Sequence, residues 1–133
     1  PLPFHKQARG LAEAAECARD QGRFWETQAL IYQDPPNNIE LNQLVETAQK
    51  AGVKNLSKFR QCFVSRKYKP RVLKDFQDGS QIGIQGTPTF VIGLHDEQSA
   101  TVTGEMFSGA VPENKFIQAI EKYILLSKAT PAN

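Results

Sequence analysis

Apolar and small residues recur at intervals of three and four through most of this chain and give way to strand-like runs only near its end. Ala8, Leu11, Ala15 and Ala18 form one stripe between His5 and Gln21, which predicts a helix that a neighbour can approach closely. Gly22 is a break. A second helix is predicted from Arg23 to Tyr32, with Trp25, Ala29 and Tyr32 on one face. Asp34 to Asn38 (DPPNN) is a loop by composition. Asn37 followed by Glu40 imitates a capping box, and Leu41, Leu44, Val45, Ala48 and Ala51 then line a helix that Gly52 ends. Asn55 can cap the next helix, whose apolar face holds Leu56, Phe59, Cys62 and Phe63. Another helix covers about Pro70 to Gln81, with Val72, Leu73 and Phe76 inward and Pro70 in its first turn.

The pattern changes after Gly83. Gly86-Thr87-Pro88 reads as a turn, and Thr89 to Ile92 as a short strand. His95 to Ser99 is polar and hairpin-like, with Asp96 and Glu97 as turn-formers rather than an acid–base pair. Ala100 to Thr103 forms a second strand that resumes through Met106 and Phe107. Pro112 and Glu113 open a last helix, with Phe116, Ile117, Ile120, Tyr123 and Ile124 on its apolar side, and the tail after Ser127 is expected to fray. Two strands rarely make a stable sheet alone, so these need further partners or cover.

Composition narrows the possibilities. The chain has 133 residues, 40% hydrophobic and 23% charged, with a formal net charge of +2. Those values suit one soluble globular domain. No wholly apolar run is longer than that of Tyr123 to Leu126, which is far too short to span a bilayer. Two cysteines exclude a disulfide-framework miniprotein and a four-cysteine zinc site. A metal site is not expected, because His5 and His95 both lie far from a cysteine in sequence. No cofactor is expected either: Gly79, Gly83 and Gly86 fit neither nucleotide fingerprint. Pro1, not Met, stands first, which suggests a processed, cut or truncated piece of a longer chain. The stretch from Lys54 to Lys74 carries Lys54, Lys58, Arg60, Arg66, Lys67, Lys69, Arg71 and Lys74 with no acid. A solvated helical face balanced by acids elsewhere outweighs a nucleic-acid or headgroup surface, since Phe59 and Phe63 fit a core rather than a stacking platform.

Three stretches together resemble one family: AEAAECARDQGRFWETQALIY (Ala12 to Tyr32), FRQCF with GSQIGIQGTPTFVIG (Phe59 to Phe63 and Gly79 to Gly93), and FSGAVPENKFIQAI (Phe107 to Ile120). The resemblance is to the DsbA-like thioredoxin-fold oxidoreductases, and it covers nearly the whole chain. It implies an α/β thioredoxin-like fold of DsbA type. Residues 1–83 would be an inserted helical domain of about five helices. Residues 84–127 would be the C-terminal half of the thioredoxin core, a β-hairpin plus helix, and residues 128–133 a frayed tail. The N-terminal strand–helix–strand with the family's Cys-x-x-Cys is expected to be absent, with the opening PLPFH just after it.

Exchange needs an attacking thiolate and a resolving thiol. Cys17 and Cys62 lie in different predicted helices, with no second cysteine two residues away, so this chain alone is expected not to catalyse. The resemblance instead implies that Thr87 and Pro88 form a cis-proline loop whose backbone pairs with an extended, cysteine-containing polypeptide. The pattern alone leaves Pro88 as an ordinary trans proline opening an edge strand. The resemblance also implies a structural disulfide between Cys17 and Cys62, worth roughly 3–4 kcal/mol by loop closure. Two buried free thiols are the other reading, and geometry decides between them. Phe24 and Trp25 flank a peptide groove or, more simply, belong to the core. The implied setting is periplasmic or otherwise extracytoplasmic. The missing segment or self-association is expected to cover the exposed sheet. A redox-inactive peptide- or protein-binding module and a glutathione-dependent isomerase relative are the alternatives.

Overall fold

The computed structural model describes residues 7–35 and 40–129. The start of the first predicted helix, the Asn37 cap and the last four residues lie outside that range. Among the described residues six helices and two strands follow one another: α1 (Ala8–Arg19), α2 (Phe24–Gln33), α3 (Leu41–Lys50), α4 (Leu56–Val64), α5 (Lys69–Gln81), β1 (Thr89–Asp96), β2 (Thr101–Ser108) and α6 (Glu113–Ala129). They fall into two compact units, Pro1–Ile82 and Gly83–Asn133.

In the helical unit α1 packs against α2, α4 and α5, and α3 packs against α2 and α4. Ala14, Cys17, Ala18, Leu44, Val45, Ala48, Val53, Phe59 and Cys62 form the core, with Leu11, Leu41, Leu56, Phe63 and Tyr68 packed around it. The alanines explain how α1 meets so many neighbours: a short side chain lets a second helix approach without a hole being left to fill. Asn55 does cap α4, its side chain accepting from the Lys58 N–H at 2.9 Å. Thr27 in α2 is buried, with no partner for its hydroxyl among the described residues.

Three helices end in the same way. At Gly22, Gly52 and Arg66 the chain turns to positive φ (69°, 86° and 55°). In each case two crossed hydrogen bonds close the end. Gly22 and Arg23 donate to Arg19 and Ala18, Gly52 and Val53 to Gln49 and Ala48, and Arg66 and Lys67 to Phe63 and Cys62. This is the Schellman arrangement, in which glycine is favoured because it carries no Cβ. Two of the three sites hold glycine. The third holds arginine, which meets a steric cost of roughly 1 kcal/mol there.

The second unit is an antiparallel hairpin with α6 against β1. Thr89 pairs with Ser108, and the register runs to Asp96 opposite Thr101. Both strands are longer than the sequence pattern indicates. β1 continues through Gly93 and His95, and β2 runs unbroken through Gly104. Glycines and polar residues are poor strand formers, so the pattern stops at them, but the ladder on either side carries the pairing through. Gly93 and Gly104 are directly opposed. A Cβ on Gly93 would lie 2.3 Å from the Thr103 carbonyl oxygen, and one on Gly104 would lie 2.1 Å from that of Ile92.

Alternation puts Phe90, Ile92 and Leu94 on one face of β1. Phe116 of α6 meets Phe90 edge-on at 4.9 Å and lies 6.1 Å from Phe107. Lys122 reaches Glu105 from the same helix. The inward side of α6 is therefore Phe116, Ala119 and Tyr123. Ile117, Ile120 and Ile124 are exposed, contrary to the single apolar face read from the sequence. Small Ala119 is the fully buried member, and the bulkier isoleucines a residue away face out. The helix also continues to Ala129, past the expected fraying point at Ser127. On the other face of the sheet Val91, Val102 and Met106 are exposed.

Candidate functional site

The loop before β1 is fixed from both sides. Thr89 Oγ1 donates to the Gly86 carbonyl at 2.7 Å. The Gly109 N–H donates to the Pro88 carbonyl at 2.8 Å, closing the base of the hairpin, with Gly109 at positive φ. Between these anchors the Thr87–Pro88 peptide bond is cis. Both residues are exposed. Among the described residues nothing bonds to the N–H or C=O of Thr87, and Pro88 has no N–H to offer. The loop thus presents one free donor and one free acceptor, in line with the start of a strand.

Cys17 and Cys62 are joined, with Sγ–Sγ 1.98 Å and Cα–Cα 5.8 Å, and link α1 to α4 inside the helical core. No cysteine is free. The two predicted pairs, Thr87 with Pro88 and Cys17 with Cys62, each lie within their own unit.

The basic stretch turns out to be tied to α1. Glu13, only 3% exposed in its side chain, accepts two hydrogen bonds from Arg66, at 2.6 and 2.7 Å. Glu16 pairs with Arg19 at 2.8 Å and Arg71 at 3.3 Å. Asp20 accepts from Lys67 at 2.7 Å and from the Tyr68 hydroxyl. Lys74 pairs with Asp78 within α5, and Arg60 reaches the Asn42 side chain. Arg66, Lys67 and Arg71 are thus matched by Glu13, Asp20 and Glu16 on or just after α1, so this part of the run marks a seam between α1 and the α4–α5 segment. Sequence reasoning missed the seam because Glu13, Glu16 and Asp20 sit far upstream. Its one local signal was a non-glycine at a helix end that wants glycine.

Asp20 is the titratable joint of the seam. Burial pushes its pKa up. Hydrogen bonds from Lys67 and Tyr68 and the Lys67 charge outweigh that and hold it below its ordinary 3.8. A carboxyl with a depressed folded pKa contributes stability above its unfolded pKa and loses it as pH falls through the folded value. Acid unfolding curves should therefore show a loss of stability below about pH 4 that flattens in Asp20→Asn, read by the urea midpoint at stepped pH.

Trp25 and Tyr32 are 72% and 79% exposed. This corrects the core placement: Trp25 stacks edge-on against Phe24 at 5.1 Å, and Arg19 covers the other ring, 3.9 Å above the Phe24 centroid. Asp96 binds the Gln98 N–H and the Ser99 hydroxyl, the behaviour of a turn-former. Among the described residues no three His, Cys, Asp or Glu side chains cluster. No helix among them is long and apolar enough to cross a membrane.

Mixed helices with a small sheet entered through a Thr-Pro turn fit an α/β thioredoxin-like fold. The thioredoxin family model matches residues 1–122, and the chain belongs to that family. Two curated relatives are similar over part of their length. One is a Na(+)/H(+) antiporter NhaA 3 of Salinispora tropica, 32% identical over 90 residues. The other is a Na(+)/H(+) antiporter NhaA 1 of Salinispora arenicola, 32% identical over 88 residues. Each match covers 66% of this chain and 13% of the relative, so the chain corresponds to a small part of either.

Proposed function

We propose that the chain belongs to a thiol:disulfide oxidoreductase of DsbA type that acts on secreted or envelope proteins, and that its Thr87–Pro88 loop is where the substrate backbone lies. One observation carries this: the exposed, unbonded N–H and C=O of Thr87 at the head of β1. An extended segment pairs with such groups as an added strand would, taking affinity from main-chain bonds and little from side chains. Family membership supports the thiol chemistry. The internal disulfide supports an oxidising compartment, periplasmic or otherwise outside the cytoplasm. Both cysteines of the chain are already joined to each other, so the redox pair of this reading is a different one.

The test uses an extended peptide whose cysteine is alkylated, so that binding is read without exchange. Amide resonances from Gly86 to Phe90 should shift on titration. Thr87→Pro, which deletes the N–H, should weaken binding about two- to tenfold, the worth of one hydrogen bond. A peptide that leaves these amides unmoved, or binds Thr87→Pro equally well, overturns the assignment.

A further inference from the structure

The unit Gly83–Asn133 has almost no interior. Among its described residues only Ala119 is buried. Beside the inward side of α6 runs a second apolar stripe, in which Ile117, Ile120 and Ile124 are each close to half exposed. A helix turns about 100° per residue, so positions three and four apart share a stripe. Continued by four residues at either end, this one takes in Glu113 and Lys128, the acid of the first turn and the base of the last. The stripe is then Glu113, Ile117, Ile120, Ile124 and Lys128, about 22 Å long at 1.5 Å per residue.

Its two charges are uncommitted. Both are exposed, and among the described residues neither Glu113 nor Lys128 has an ion pair or a hydrogen bond. Nor does the helix offer them a partner three or four residues away. Those places hold Phe116 and Ile117 for Glu113, and Ile124 and Leu125 for Lys128. Turned end for end, the stripe complements itself. Glu113 then stands opposite Lys128 of the second copy at both ends, and Ile117 opposite Ile124. The midpoint falls between Ile120 and Glu121.

We propose that two copies of this chain associate by pairing α6 with α6 antiparallel along this stripe. A foreign partner would need a matching order of charge and apolar side chains. A second copy already carries it, and a two-fold interface places the same patch on both sides. Glu121 opposes the pairing, because it borders the midpoint and lies beside its own copy. A contact along one helix belongs to the small, transient class of interface, so the dimer is weak and exchanges readily. The proposal is independent of the role given to Thr87.

Sedimentation equilibrium of the full chain at low ionic strength, from micromolar to millimolar protein, tests this. Wild type should self-associate, less as salt is added. Glu113→Lys or Lys128→Glu alone should weaken association about three- to thirtyfold, since either swap turns both end pairs from attraction to repulsion. The variant with both swaps should associate as wild type does, and so should an equimolar mixture of the two single variants. Both swaps oppose the helix macrodipole, so damage to the helix itself would add in the double variant and not cancel. Glu121→Gln should tighten association about twofold. The proposal is overturned if wild type stays monomeric throughout, which would give the stripe to a different partner. It is equally overturned if the single swaps change nothing, if the double variant is no tighter than the singles, or if Glu121→Gln weakens association.

Discussion

Joint replacement of Cys17 and Cys62 by alanine is expected to lower the stability of the helical unit by about 4 kcal/mol. The bond joins residues 45 apart in sequence, and closing a loop of that size removes a large share of the unfolded chain's freedom. The loss is large because this constraint is covalent, so it persists in the unfolded chain, and it joins the first helix to the fourth. It should appear as a lower urea midpoint with a somewhat larger slope, because the freed unfolded chain exposes more surface. Wild-type protein held reduced should approach the same midpoint. A reduced protein as stable as the oxidised one would mean that the helices are held by packing alone.

Arg66→Ala is expected to be the other large effect, about 2–3 kcal/mol. Removing one partner of a buried ion pair costs roughly 3–5 kcal/mol because the remaining charge is stranded. Here Glu13 is stranded, but half of the Arg66 side chain already faces water, so solvent recovers part of the cost. Arg66→Gly separates the two roles of this position. It also loses the pair, yet it relieves the positive φ, and should be about 1 kcal/mol less damaging than alanine. Replacing Glu13 and Arg66 together by methionine should recover most of the loss, since no lone charge is then buried. Urea denaturation of the four proteins gives the comparison. Equal stability of Arg66→Ala and wild type would show that the seam contributes nothing.

Arg66 also shows what could be read from the sequence and what could not. Gly22 and Gly52 were visible as helix stops because glycine announces a left-handed turn by its own chemistry. The same turn at Arg66 was invisible, since the reason for arginine lies in Glu13, on another helix. The helix stripes of α3 and α4 were legible because their apolar residues face a single core. The α6 stripe was misread: five apolar residues on one side of a helical wheel do not say which half of that side is covered. Trp25 was misassigned for a related reason, as ring size favours burial but position on the helix decides it. The cis bond between Thr87 and Pro88 is implied only by the resemblance that their neighbours carry. The local pattern on its own favours an ordinary trans proline opening an edge strand.

The opposed glycines at 93 and 104 restrict how this hairpin can vary. In most cross-strand pairs a larger residue on one strand is accommodated by a smaller one opposite, so the two positions drift together. Here the obstacle to a side chain is main chain, the Thr103 and Ile92 carbonyls, and no exchange of side chains moves it. Neither glycine can be released by its partner. The two positions are bound to the same residue without covarying, and a survey of correlated substitutions would be silent there.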